Sequence, residues 1–78
     1  MSRYFFDLHN SDGPTVDNDG MELPDRSSIS KQVARILVDV ARDELPSEDR
    51  AIISIKVRNS CGAVIAVTSL TFNTEWLD

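Results

Sequence analysis

The sequence predicts an α+β domain in two layers, with one helix packed on a mainly antiparallel four-stranded sheet in the order β-β-α-β-β. Two observations support this prediction. A helical pattern with a single apolar face occupies the middle of the chain, and two pairs of segments with strand-like alternation flank it. With 78 residues the chain has the size of one small domain, which we take to cover residues 1–78.

The first two predicted strands form a hairpin. Residues 3–9, RYFFDLH, and residues 15–23, TVDNDGMEL, are separated by Asp12-Gly13, a pair that favours a tight turn. A kink is expected at Asn18-Asp19-Gly20. Alternation in the first strand gives two faces, one with Tyr4, Phe6 and Leu8, the other with Phe5, Asp7 and His9.

The helix and its edges are predicted within residues 23–49. Asp25, Ser27 and Ser28 are candidate N-caps, and Pro46 sets the end because the residue before a proline avoids the helical region. The apolar residues recur at i, i+4, i+7, i+8 and i+11 and form one face, made of Ile29, Val33, Ile36, Leu37 and Val40.

The third and fourth strands follow the helix. Residues 51–59 should direct Ile53, Ile55 and Val57 into the core, and the turn NSCG leads to residues 63–77. The apolar alternation of this fourth strand slips, which predicts either a bulge near Thr68-Ser69 or burial of both faces. No charge occurs from Asn59 through Thr74. Such a strand should be covered, either centrally in the sheet or by another chain.

Composition limits the classes of function. The net charge is −5 and the eight basic residues are scattered, so nucleic-acid binding is not expected. No apolar run is long enough to span a membrane, and the start Met-Ser-Arg lacks a signal-peptide apolar segment. One cysteine excludes an internal disulfide and suits a reducing compartment, so a cytoplasmic location is expected. A domain this small often needs a further stabiliser, and oligomerisation is the one available.

One combination of motifs extends over most of the chain: Arg3 to Asp7, Asp19 to Leu23, Asp25 and Glu44-Leu45-Pro46, with the alanines and aliphatics of the helix between them. This combination resembles a family of short bacterial proteins known only as a domain of unknown function. The resemblance implies no activity and no catalytic residue. The architecture is also similar to small antitoxin-type domains of toxin–antitoxin pairs, which is an analogy of fold alone.

Three polar features are candidate chemical sites, and each has a simpler structural interpretation. Asp17-Asn18-Asp19-Gly20 with Glu22 resembles part of a calcium loop, but the EF-hand spacing would need Thr15 and Arg26 as ligands, so a polar turn is favoured. Asp7 and His9 share a strand face and form a candidate acid–base pair, against two solvated polar residues. Cys61 is expected to be a tolerated turn residue rather than a nucleophile. No metal, cofactor or small-molecule substrate is predicted.

Four apolar residues do not fit one core, and they form either a second, minor cluster on the far face of the sheet or a candidate protein interface: Phe5, Val38, Phe72 and Trp76. The leading hypothesis is therefore a protein-interaction domain that acts as a homodimer. The alternative is a regulatory adaptor or antitoxin-like protein that binds another protein. An enzyme with an Asp7/His9 pair is the third hypothesis, and the sequence favours it least.

Overall fold

A computed structural model describes residues 1–47 and 49–78, and for Ser47 it describes the backbone alone. These described residues form five strands, one helix and a 3-10 turn, which confirms the α+β class. The elements are β1 (Ser2–Asn10), β2 (Gly13–Thr15), β3 (Met21–Leu23), α1 (Arg26–Glu44), the 3-10 turn Leu45–Ser47, β4 (Arg50–Arg58) and β5 (Val64–Asn73). Glu48, within the predicted edge of the helix, lies outside the described residues.

The sheet is antiparallel, and its strand order is β2-β1-β4-β5, with β3 also paired to β1. The second strand predicted from sequence is divided into β2 and β3, which gives five strands instead of four. These short strands pair with opposite ends of β1, Leu8 opposite Thr15 and Tyr4 opposite Met21. Gly20, at a φ of 70°, turns the chain at the predicted kink.

The helix begins and ends as the sequence predicts. Asp25 is the N-cap, and its carboxylate accepts a hydrogen bond from the Ser28 backbone N–H. The helix ends at Glu44, two residues before Pro46. Ile29, Val33 and Leu37 are buried, so the predicted face is the one that packs on the sheet.

The core lies between α1 and the two central strands. Ile53, Ile55 and Val57 of β4 have no exposed surface, as predicted, and burial of each such side chain stabilises the fold by about 1.5–3 kcal/mol. Phe6 of β1 is buried against them, while Tyr4 and Leu8 are partly buried. We call this side of the sheet the helix face, and the opposite side, which carries Phe5, Asp7, Lys56 and Arg58, the open face.

The fourth predicted strand, β5, lies at the edge of the sheet and not at its centre. Its register with β4 is unbroken from Asn73 to Ala66, and the irregularity falls at Ile65, where Val57 pairs with Ala66 and Arg58 with Val64. The bulge predicted near Thr68-Ser69 was therefore misplaced. All of β5 is exposed except Phe72, which is half-buried, so burial of both faces was also wrong for the single chain.

The molecule is elongated, with principal extents of 52 × 23 × 18 Å and a radius of gyration of 14.0 Å. A compact chain of this length would have a radius of gyration of about 11.5 Å. The exposure of β5 shows that this side of the sheet is not covered by a second layer.

Candidate functional site

A cluster of three charged residues lies on the open face, beside the outer edge of β1. We call Asp7, Asp17 and Arg58 the Asp7 cluster. Arg58 donates to both carboxylate oxygens of Asp7, from Nε to Oδ2 at 2.6 Å and from Nη2 to Oδ1 at 3.1 Å. The same Nη2 donates to the backbone carbonyl of Asp17 at 2.9 Å. This forked geometry is the strong form of an arginine–carboxylate contact.

The strand register brings the cluster together. Phe5 lies opposite Arg58 and Asp7 lies opposite Lys56, so Arg58 reaches Asp7 diagonally across the β1–β4 pair. Asp17 belongs to the loop between β2 and β3, and its N–H donates to Asp7 Oδ1 at 3.0 Å. The cluster therefore ties this loop to the centre of the sheet.

Asp17 also completes the outer edge of β1, which β2 and β3 leave open between them. Its Oδ2 accepts from the backbone N–H of Phe6 at 3.0 Å. Its Oδ1 accepts from the N–H groups of Asp19 and Gly20, each at 3.1 Å. One carboxylate thus replaces a strand partner for β1 and holds the tight turn in place.

Both carboxylates of the cluster have lowered pKa values. The hydrogen bond from Arg58 is the largest cause for Asp7, and the N–H of Asp17 lowers its pKa further. Desolvation raises the pKa of Asp17, but the N–H groups of Phe6, Gly20 and Asp19 together outweigh it. Asp7 raises the pKa of Asp17 as well, and the net direction stays downward. The cluster is therefore fully ionised near neutral pH.

Phe5 is held by the same region. The Arg58 guanidinium carbon lies 5.0 Å from the centroid of the Phe5 ring, a cation–π distance. On its other side the ring contacts Gly20, where an added Cβ would lie 2.8 Å from Phe5 Cε1 and 2.9 Å from the Tyr4 carbonyl oxygen. Part of the surface of Phe5 is therefore used within the fold.

The other two candidate chemical sites are the Asp7/His9 pair and Cys61, and among the described residues the fold does not build a larger site around either. Asp7 is engaged by Arg58 and Asp17, whereas His9 is an exposed residue farther along the same face. Cys61 is exposed in the turn between β4 and β5, as predicted. In the described part of the chain, no group of three or more His, Cys, Asp or Glu side chains could hold a metal ion. Across the same residues, no helix is long and apolar enough to cross a membrane.

The free edge of β5 is the second candidate site. Thr74 N–H donates to the Asp49 carbonyl at 2.7 Å, so Asp49 and Thr74 form a hydrogen-bonded pair. The next pair, Arg50 and Asn73, is then a non-hydrogen-bonded one, and the two kinds of pair alternate along β4 and β5. The alternation directs one set of backbone N–H and C=O groups away from β4, namely those of Val67, Ser69, Thr71 and Asn73. These groups form an unpaired ladder on an uncharged strand of ten residues.

The four residues of the predicted interface do not share one surface. Phe5 lies on the open face, and Val38 is 56% exposed on the outer side of α1. Phe72 lies on the helix face of β5, since it pairs with Ala51 in phase with Ile53. Trp76 is 74% exposed, just beyond β5. Only Phe72 and Trp76 adjoin the free edge.

The match to known families agrees with these structural elements. Residues 3–71 match the family described as Domain of unknown function (DUF6894). The chain belongs to this family. The match spans β1 through most of β5, so it contains the whole Asp7 cluster and nearly all of the free edge. No curated protein and no solved structure matches the chain.

Sequence reasoning did not find Arg58 and Asp17 as partners of Asp7. The alternation of the predicted strands does assign Asp7 and Arg58 to faces away from the core. That signal joins them only when β1 is known to lie beside β4, a pairing of segments far apart in the chain. In this DUF6894 domain, Asp7 and Asp17 thus hold the β2–β3 loop and the β1–β4 pair together.

Proposed function

We propose that this protein acts through protein–protein contact as a homodimer, formed when the β5 edges of two copies pair antiparallel to give one continuous sheet. The observation that carries the proposal is the free edge of β5, which is ten residues long and exposed at every residue except the half-buried Phe72. An unpaired edge of this kind is a template for another strand, and proteins commonly block it with charge, proline or a covering loop. Val64–Asn73 contains no charged residue and no proline, and its bulge at Ile65 lies near one end of the strand.

The distribution of charge supports a second copy as the occupant. The chain has thirteen acidic and eight basic residues, so two copies repel each other over most of their surface. The segment from Asn59 through Thr74 has no charge, so two copies can approach there without opposing like charges. The strand has no carboxylate that could form an ion pair with a strongly basic partner.

The shape of the chain gives a further reason. A small domain buries little surface, and here the edge strand β5 is exposed except at the half-buried Phe72. Exposed apolar side chains accompany the free edge, including Val64, Ile65, Val67 and Leu70. Pairing of two edges would remove much of this surface from water. We place the dimer in the cytoplasm, because an exposed free thiol at Cys61 suits a reducing compartment.

The proposal is tested by the mass in solution, measured by light scattering over a dilution series. We expect twice the chain mass of 8.7 kDa. Ser69→Pro removes an outward N–H while leaving the β4–β5 ladder intact, since proline is tolerated at the solvent side of an edge strand. This variant should be a monomer with an unchanged circular dichroism spectrum.

Two valines form a matched pair that distinguishes β5 from the helix surface. Val67 of β5 is 60% exposed and Val38 of α1 is 56% exposed. Val67→Lys should shift the equilibrium to monomer, whereas Val38→Lys should leave the dimer unchanged. A wild-type monomer at every concentration would overturn the homodimer. It would favour the adaptor or antitoxin-like alternative, in which the edge accepts a strand of a different protein.

A further inference from the structure

The free edge of β5 can pair with a second copy in only a few registers. The backbone groups that point away from β4 belong to four residues, which we call the outward residues: Val67, Ser69, Thr71 and Asn73. Two outward residues that face each other across an antiparallel pair exchange both of their hydrogen bonds. The position of the two-fold axis along β5 therefore decides how many outward residues are satisfied.

We propose that this axis passes through Leu70, so that Leu70 lies opposite Leu70 of the partner subunit. The inference rests on the β5 homodimer proposed above and adds its register and its central contact. In this register Val67 pairs with Asn73 of the partner subunit, and Ser69 pairs with Thr71 of the partner subunit. All four outward residues of both copies are then hydrogen-bonded across the interface.

An axis one residue nearer the start of the strand, at Ser69, would leave part of the ladder unpaired. It sets Asn73 opposite Ile65 of the partner subunit, and Ile65 is the residue at which the register of β5 is irregular. The regular part of the strand extends only from Ala66 to Asn73. The hydrogen bonds at both ends of the shared ladder would therefore be lost.

An axis one residue nearer the end, at Thr71, is also less favourable. It sets Val67 opposite Glu75 of the partner subunit, which lies beyond the end of β5 and brings a carboxylate beside an apolar side chain. An axis between two residues is excluded, since outward residues would then face residues whose backbone groups point to β4. The axis at Leu70 thus pairs the whole ladder within the regular strand.

The side chains on the helix face fit the same register. Leu70 pairs with Ile53, which has no exposed surface, yet Leu70 itself is 36% exposed. At the axis the two Leu70 residues form a non-hydrogen-bonded pair with Cα atoms about 4.5 Å apart, so their side chains pack directly. The two apolar cores then become continuous through Leu70. Phe72 comes opposite Thr68 of the partner subunit, and pairs of an aromatic with a β-branched residue stabilise sheets.

The side chains on the open face are compatible as well. Ser69 and Thr71 of the partner subunit are hydroxyl residues, which form hydrogen bonds when they lie opposite each other in a sheet. Val67 meets Asn73 of the partner subunit, and neither carries a charge. The register therefore opposes no like charges along the paired strands.

Amide hydrogen exchange of the unmodified protein is the first test. We expect the four outward amides to become protected together, over the concentrations at which light scattering detects the dimer. The amides of Thr68 and Leu70 already bond to β4 and serve as internal controls. Protection that omits Asn73 would indicate an axis at Ser69, and protection that omits Val67 would indicate an axis at Thr71. Either pattern would overturn the inference and leave the dimer standing.

Disulfide cross-linking in a Cys61→Ser background is the second test. Leu70→Cys should form a linked dimer, because Cα atoms about 4.5 Å apart lie within disulfide range. Ser69→Cys and Thr71→Cys are the neighbouring controls. Each should stay unlinked alone, since its own copy would be a diagonal neighbour about 7–8 Å away. An equal mixture of these two variants should link to each other, because opposed outward residues lie about 5.5 Å apart between Cα atoms.

The mixture keeps the test decisive if Leu70→Cys weakens the dimer when reduced, and intact mass identifies which chains are joined. Ser69→Cys or Thr71→Cys linking to its own copy would overturn the register alone. A monomeric wild type would overturn both the register and the proposed dimer. A dimer whose outward amides all remain unprotected would do the same, because its interface would lie elsewhere.

Discussion

Arg58 binds the carboxylate of Asp7 with its Nε 2.6 Å from Oδ2, although the two residues lie 51 positions apart in the chain. Both side chains are largely shielded, with 25% and 21% of their surfaces exposed. The contact joins β1 and β4, which are neighbouring strands in the sheet. It also turns Arg58 over the Phe5 ring, so one guanidinium serves an ion pair, a backbone carbonyl and an aromatic face.

Asp7→Asn is expected to lower the free energy of unfolding by about 1–3 kcal/mol, because it weakens hydrogen bonds that involve charged groups. Urea denaturation monitored by circular dichroism measures the change. Asp39→Asn is the matched control, since the Asp39–Arg42 pair is exposed on the helix and should contribute nothing measurable. Equal effects of the two changes would contradict a special role for the Asp7 contact.

Gly20→Ala is expected to destabilise the fold more than Gly62→Ala does. Both glycines have positive φ, 70° and 87°, so both changes incur the same kind of backbone strain, about 1–2 kcal/mol. At Gly20 the new methyl also meets the Phe5 ring and the Tyr4 carbonyl, whereas nothing lies within 4 Å at Gly62. The difference between the two midpoints of thermal unfolding measures the contact with Phe5. Indistinguishable midpoints would mean that the loop shifts freely away from the ring.

Asp17→Ala should lower the free energy of unfolding by about 1–3 kcal/mol, since it leaves the N–H of Phe6 without its acceptor. It should also speed hydrogen exchange at Phe6, Asp19 and Gly20, the three amides that the carboxylate binds. Asp12→Ala changes an exposed aspartate of the β1–β2 turn and serves as control. Unchanged exchange at Phe6 in the Asp17 variant would contradict the role assigned to this carboxylate.

Acid should weaken the fold through the Asp7 cluster. Asp7 and Asp17 have folded-state pKa values below 3.8, the ordinary value. As pH falls toward 3.8, the unfolded chain takes up protons that the folded chain does not. The stability present at neutral pH is therefore lost progressively, and the loss is complete below the folded pKa values. Denaturation at a series of pH values should show a smaller acid-induced loss for Asp7→Asn than for wild type. Identical slopes would exclude Asp7 as a source of the acid sensitivity.

The parts of the fold that sequence predicts are those with local causes. Asp25 caps the helix through a carboxylate that needs only the next turn of backbone, and Ile53, Ile55 and Val57 alternate because one face of β4 is buried. In β5 the same method failed. The apolar alternation of β5 does not indicate a buried face, because neither face of this strand packs into the core. The prediction of a bulge at Thr68-Ser69 was therefore wrong, and the bulge lies at Ile65.

The Asp7 cluster could be predicted only in part. Asp7 and Gly20 belong to the residues on which the family resemblance was based, whereas Arg58 lies in a separate segment whose pairing with β1 depends on strand order. Periodicity assigns faces to residues and does not order the strands. The sequence favoured two solvated polar residues at Asp7 and His9 over an acid–base pair, and neither interpretation included the long-range contact of Asp7 with Arg58.

The two edges of the sheet differ in whether they can accept a further strand. The outer side of β1 is occupied by two three-residue strands and by the Asp17 carboxylate, while β5 offers a full row of free peptide groups. A protein with one self-complementary edge forms a closed dimer, whereas a protein with two free edges can add copies without limit and form a fibre. In the dimer proposed above, β2, β3 and the Asp17 carboxylate keep the β1 edge of each copy occupied, so assembly through strand edges would stop at two chains.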